Sequence, residues 1–361
     1  MSEWFPGGRI GRLAGGMLAL LALAAIPTFF NNLSIRADAA LAVLFGFAIL
    51  SVVVLTGYVG QVSLCQGTFM GVSAFGTAWL VHSGLDYWVA AVVGILISFG
   101  LGVAVGIPAL RLRGILLAIV TVGVALSFDY FFFQDGSFAW FNGGQSGWEI
   151  DGATAFGVAI DSINTDHILH GYWFALAAFA VVALLVVNLH DSGSGRRFRA
   201  IRDSELAAST MGVDLTRYKL LAFGLSAAVA GVGGAFYPLL VGRVSSQPFG
   251  FFYSLQFAAF AVLMGVRFVP AAALAGIFMS FVPELLNYLR TNLTAVHIAL
   301  GPLTINTHFD ITYDYFNVIL GALLIVQVIT APDGIWGNAA ERIQHLFGHR
   351  PEVVPSSVTT T

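Results

Sequence analysis

The sequence predicts an all-α, polytopic membrane protein of about ten transmembrane helices. Three observations predict it. Only 10% of the 361 residues are charged, against about 25% in a soluble globular domain. Hydrophobic residues make up 58%, with 31 phenylalanines, and mean hydropathy is +0.85. The apolar residues gather into runs close to the ~20 residues that cross a ~30 Å hydrocarbon core.

Ten such runs follow one another, at roughly 13–30, 38–56, 57–81, 87–107, 114–133, 172–189, 220–241, 252–266, 268–289 and 313–331. The first has no small-residue cleavage site after it, so it reads as a span and not as a removable signal. If the N-terminus lies inside and the runs alternate in direction, thirteen of the sixteen basic residues fall inside. They are Arg9, Arg12, Arg111, Arg113, Arg196, Arg197, Arg199, Arg202, Arg217, Lys219, Arg267, Arg342 and Arg350; only Arg36, Arg243 and Arg290 fall outside. Inner loops carry such an excess in membrane proteins, so both termini are expected in the cytoplasm. The organisation is then an inner N-terminus (1–12), a membrane domain (13–331) and an inner tail (332–361) whose end, "PEVVPSSVTTT", reads as disordered. Two long loops interrupt the membrane domain. The outer one, 134–171, holds Asp135, Glu149, Asp151, Asp161 and Asp166 and no Lys or Arg; the inner one, 190–219, holds six of the basic residues.

Composition also excludes functions. A net charge of −3 gives no case for nucleic acid. The single cysteine, Cys65, excludes an internal disulfide and any multi-thiolate metal site. His167 and His170 have a metal-compatible spacing but no third ligand beside them. A P-loop needs G-x-x-x-x-G-K-[ST], and the one lysine, Lys219, lies between Tyr218 and Leu220. No metal, cofactor or nucleotide site is therefore expected on this chain. No H-E-x-x-H or Gly-x-Gly-Asp motif supports an intramembrane enzyme. Asp129 and Glu284 stand near the outer ends of the fifth and ninth runs, and no acid lies mid-span. An ion-coupled carrier usually needs one.

"GYVGQVSLCQGTFMGVSAF", Gly57 to Phe75, sets polar groups inside a greasy chain. Read as one helix, it puts Gly60, Ser63, Gly67 and Gly71 on one side and Gln61, Cys65 and Thr68 on a neighbouring face. Lipid offers such groups no partners, so they should face protein or a water-filled path. Close packing is one role, a wall of a translocation path with Gln61, Ser63, Cys65, Gln66 and Thr68 is the other, and a break near Gly57–Gly60 would free backbone for the second. Gly94, Ser98, Gly102 and Gly106 make an unbroken packing stripe on the fourth run, and Gly231 marks a third small-residue site in "AAVAGVGGAF".

The inner loop contains "ELAASTM". Asp203 or Ser204 can cap a helix there, Glu205 suits its first turn, and Gly212 can end it. The expected helix covers 203–212 in two to three turns, with Ala207 and Met211 on one face. A solvated basic loop is the plain alternative.

Glu205, Ala207, Ala208 and Gly212 resemble the E-A-A…G signature of ABC importer permeases. The wider run from Arg199 to Phe223, the opening stretch, "ALRLRGILLAIVTVG" (109–123) and "APDGIWG" (331–337) resemble the branched-chain amino acid permease family of LivM type. Several motifs in order, over about residues 40 to 337, carry the resemblance. Cys65 departs from the family's usual glycine, and "LMGVRFVPAAALAG" lacks its usual Gly-Gly and Gly-Pro pairs. The resemblance implies the permease fold of the branched-chain amino acid/ribose type in a bacterial inner membrane, surrounded by lipid. It implies two ABC ATPase subunits that bind the ATP, a second permease and an extracytoplasmic solute-binding protein. It makes 203–212 the helix that grips the ATPases, through Arg202, Asp203, Glu205, Ala207, Ala208, Met211 and Gly212. The outer segment "NGGQSGWEIDG" (142–152) resembles the family's glycine-rich loop and would dock the binding protein, or remain a solvated acidic loop. Branched-chain amino acids are the implied cargo, with urea or a short amide as the alternative; an ATP-independent channel or carrier is the other function class.

Overall fold

The computed structural model describes residues 9–29, 32–112, 114–150, 153–155, 158–160, 168–293, 298–300, 303–305 and isolated positions between 318 and 335. Most of the tenth expected span, Arg113, Asp151, Asp161, Asp166, His167 and the tail beyond Ile335 lie outside the described residues.

The chain is helical, as an apolar sequence that must satisfy its own backbone in lipid has to be. Helix α1 (Arg9–Phe29) is followed by α2 (Leu33–Val52), which widens into a π-helical turn over Val53–Tyr58. Then come α3 (Gln66–His82), α4 (Tyr87–Ala109) and α5 (Ile115–Ser127), the last also widening over Phe128–Gln134. A short α6 (Ala139–Asn142) and three short strands, β1 (Trp148–Glu149), β2 (Ala153–Ala155) and β3 (Val158–Ile160), form the loop before α7 (Ile168–Asp191). Helices α8 (Gly193–Asp203) and α9 (Glu205–Thr210) precede α10 (Leu215–Val241). Strand β4 (Arg243–Val244), α11 (Phe251–Met264), α12 (Val269–Leu293), β5 (Ile298–Leu300) and β6 (Leu303–Ile305) complete the order. Among the described residues, five helices are long and apolar enough to cross a membrane: Leu33–Tyr58, Tyr87–Ala109, Ile115–Gln134, Leu169–Asp191 and Leu215–Val241. This is a multi-pass membrane protein.

Helix α10 is the axis of the bundle and packs on α2, α3 and α4, while α12 lies along α2. Small residues make these crossings close. A side chain at Gly234 would run into the Met70 carbonyl, one at Gly102 into Ala227, and one at Gly276 into the Ala42 carbonyl. Gly94 faces Thr77 and Ser73, Gly106 faces Leu220 and Phe223, and Gly231 faces Ser98. The hydroxyl of Ser98 reaches the carbonyls of Phe69 at 2.9 Å and Ala227 at 2.8 Å, so α3, α4 and α10 meet around it. Helix α5 is peripheral, with much of its surface exposed.

The loop between α5 and α7 is folded where described. The Asn142 amide donates to the carbonyls of Phe132 and Asp135, and β1 pairs antiparallel with β4, Trp148 opposite Val244. Gly147 (φ +68°) has the Val244 carbonyl where a side chain would stand. Asp135 accepts the Ser137 N–H at 2.7 Å, which holds its carboxyl below the usual range.

Candidate functional site

Two features stand at the end of the bundle that carries α8 and α9: a broken span and a tethered short helix.

The break corrects the expectation of a helix over 57–81. The π-helical turn that continues α2 is terminated by Gly60, whose φ of +76° is left-handed, a conformation glycine adopts without cost. The N–H groups of Gly60 and Gln61 return to the carbonyls of Thr56 and Leu55. Residues 60–65 are non-helical, and α3 starts only at Gln66. The proposed face of Gln61, Cys65 and Thr68 at helical spacing therefore does not form, because two of its three members precede the helix. The side chains of Gln61, Ser63, Cys65, Gln66 and Thr68 are all buried. Gly60 and Val62 face outward instead.

Side chains from four helices hold this segment. Ser51 of α2 donates to Gln66 Oε1 at 2.8 Å, and Ser226 of α10 reaches the Ser51 carbonyl at 2.8 Å. Thr121 of α5 accepts the Leu64 N–H at 3.1 Å, and Ser254 of α11 accepts the Gly67 N–H at 3.0 Å. Ser63 Oγ lies 3.1 Å from Cys65 Sγ. Gln61 Oε1, Gln66 Nε2 and Thr68 Oγ1 are buried with no hydrogen-bond partner. Depth follows from helix rise. Ser51 lies seven residues before Tyr58, so Gln66 sits about 10 Å into the bundle from the end of α2. Thr121, six residues into α5, gives a similar depth of about 9 Å. Exposed non-helical backbone at that depth is tolerated only against protein or water. Gly67, expected in packing, faces Ser254, and Gly71 faces Phe133 and Phe249. Gly60, also expected in packing, is the helix terminator described above.

The short helix is α9. Ser204, in extended conformation, accepts the Ala207 N–H at 3.2 Å. The helix covers Glu205–Thr210, less than two turns, and Gly212 (φ +81°) ends the turn after it. It is shorter than the 203–212 expected, because Asp203 closes α8 and only Ser204 caps. Helix α8 was itself unexpected. Arg196 and Arg197 are exposed and Arg199 and Arg202 partly so, while Phe198 and Ile201, at i, i+3, are buried. Two tethers hold α9 to the bundle. Glu205 Oε1 meets Lys219 Nζ of α10 at 2.7 Å, with the lysine side chain only 2% exposed, and Ala208 is buried. Arg202 Nη1 donates to the Gly57 carbonyl at 2.9 Å. Ala207 and Asp203 are exposed, and so are two large apolar side chains, Leu206 at 76% and Met211 at 82%.

Of the two acids, Asp129 caps another helix: its Oδ2 accepts the Phe251 N–H at the start of α11 (3.2 Å) and its Oδ1 accepts from Gln134 Nε2 (2.6 Å). Glu284 is exposed on α12. Ser51, Thr121, Ser226 and Ser254 escaped the sequence reading; their only signal is a lone hydroxyl in an apolar run. The pairing of Lys219 with Glu205 has no local signal at all.

The family profile described as "Branched-chain amino acid transport system / permease component" matches residues 10–328. The chain is 27% identical over 340 residues to a high-affinity branched-chain amino acid transport system permease protein LivM of Salmonella typhimurium, covering 88% of this chain and 74% of that protein. The Escherichia coli LivM is 28% identical over the same extent. A probable branched-chain amino acid transport permease protein LivH of Methanocaldococcus jannaschii is 26% identical over 189 residues, 51% of this chain and 55% of that protein. No solved structure matches. With its multi-pass helical bundle and a profile match along most of its length, the chain belongs to the family of branched-chain amino acid transport system permease components.

Proposed function

We propose that this chain is the membrane-spanning permease subunit of an ABC importer that moves branched-chain amino acids across a bacterial inner membrane. The observation that carries this is α9. It is capped, pinned by a buried ion pair and by Ala208, and yet it turns Leu206 and Met211 outward. So short a helix has no reason to be fixed this firmly with its largest apolar groups in water, unless another protein covers them. Two ATPase subunits are that cover, and they bind the ATP for which this chain has no P-loop. The basic residues of 190–219 support a cytoplasmic position for this end, together with both termini. A second permease completes the path, and an extracytoplasmic binding protein delivers solute to the folded loop at the opposite end. ATP closes the ATPase dimer, α9 moves with it, and the spans alternate access between the two sides.

The test is the assembled complex in proteoliposomes. Leucine uptake should need ATP and the binding protein, and Leu206→Asp with Met211→Asp should abolish ATPase co-purification while the chain still inserts. Flux through vesicles holding this chain alone, without ATP, would refute the importer and favour a channel. Running the assay with urea beside leucine separates the two cargo classes.

A further inference from the structure

We propose that Arg202 is the positioning residue that carries the movement of α9 to the broken span. This rests on the importer reading above. Arg202 stands on the last turn of α8, two residues before Ser204, the single extended residue that joins α8 to α9. A displacement of α9 therefore has a short covalent route to Arg202, through Asp203 and Ser204. At its other end the arginine holds the terminus of α2. Its Nη1 donates to the Gly57 carbonyl, among the last carbonyls of a helix, which lack intrahelical partners and carry partial negative charge. Its stem lies against Gly60, where an added Cβ would stand 2.6 Å from Arg202 Cγ. Its remaining charge contact is Asp203, at 3.4 Å.

The segment it holds is the one built to move. Residues 60–65 have no helical ladder of their own. The Leu64 and Gly67 N–H groups rest on hydroxyls of α5 and α11, which can exchange partners by rotating. The second tether of α9, Glu205 to Lys219, runs to α10, the helix that packs on α2, α3 and α4. One tether thus fixes a pivot, and the other pulls on the break.

Cys65 lies in the break, is fully buried and is the only thiol of the chain, so it reports on the segment without engineering. The experiment uses the complete complex in proteoliposomes. It measures ATP hydrolysis, leucine uptake and maleimide labelling of Cys65 with and without ATP and vanadate. In the unmodified complex, ATP should change the labelling rate of Cys65; no change overturns the proposal, whatever any variant does. Arg202→Met keeps the stem against Gly60 and removes the donor. Uptake per ATP hydrolysed should fall about tenfold, inside the usual range of coupling free energies. The ATP-dependent change at Cys65 should vanish with it. Arg202→Lys, which keeps one donor and the charge, should recover most of both. A helix cap with no role in transmission would leave uptake per ATP and the Cys65 response unchanged, and that result overturns the proposal. Absence of ATP-driven uptake in the unmodified complex refutes the importer reading instead.

Discussion

The buried pair between Glu205 and Lys219 makes the sharpest demand on the structure. Lys219 Nζ lies 2.7 Å from Glu205 Oε1 with the lysine side chain 2% exposed and the glutamate 18%. Removing one partner from a buried ion pair leaves the other charge desolvated and costs about 3–5 kcal/mol. Glu205 keeps some contact with water, so the lower end, about 3 kcal/mol, applies to Lys219→Met. Replacing both by apolar groups of similar volume, Lys219→Met with Glu205→Leu, removes the stranded charge and should come close to neutral. The pair therefore predicts strong non-additivity. Helix α9 is too short to persist without its tethers, so the loss should appear there first. Hydrogen exchange at the amides of Ala208 and Met211, which close the helix onto Ser204 and Ala207, reads it directly. Three kcal/mol at 1.36 per decade is an acceleration of about a hundredfold. The double variant should return to within about tenfold of the original. Because the pair is enclosed, raising the salt from about 0.1 to 1 M should leave the unmodified protein unchanged, unlike an exposed pair. Exchange in Lys219→Met within about twofold of the original, or a double variant as fast as the single, would refute the reasoning.

Two further outcomes follow from the packing. Gly234→Val would drive its Cβ into the Met70 carbonyl, an overpacking cost of about 3 kcal/mol at the bundle axis, so no monodisperse protein should elute on detergent size exclusion; Gly100→Val, with nothing within 4 Å of its Cβ, should behave as the original. Asp129→Ala removes the acceptor for the Phe251 N–H and should lower stability by about 1 kcal/mol in thermal unfolding, while Asp129→Asn, which keeps an acceptor oxygen, should lose less.

Most of the architecture was legible because a membrane leaves few options. Apolar runs of the right length have to be helices, and the small-residue stripe of Gly94, Ser98, Gly102 and Gly106 reads directly as a close crossing. The helix in the inner loop was legible from its cap and its terminating glycine. Its true start was not, because Asp203 and Ser204 are equally good caps by type, and only the preceding α8 uses up Asp203. Helix α8 was hidden for a related reason. Four arginines in seven positions, Arg196 to Arg202, read as a solvated loop, and the two residues that hold it down, Phe198 and Ile201, give too short a pattern to register a period.

A break near Gly57–Gly60 was legible as one of two alternatives, but its extent over residues 60–65 was not, for a deeper reason. Periodicity reports a helix by agreement over many residues, and this break spans only residues 60–65. The polar and small groups between Gly57 and Thr68 fit a 3.6-residue repeat whether or not the backbone follows it. What decides the outcome is a set of contacts from elsewhere in the chain. Gly57 has no room for a side chain because the Val266 carbonyl stands there. The Gly57 carbonyl is claimed by Arg202, 145 residues away, and the freed N–H groups of Leu64 and Gly67 are claimed by Thr121 and Ser254, 57 and 187 residues away. Each of these partners supplies what an interrupted helix in lipid would otherwise lack. The interruption is therefore a property of the bundle rather than of the segment, and under the proposed coupling a movement at α9 reaches it through Arg202.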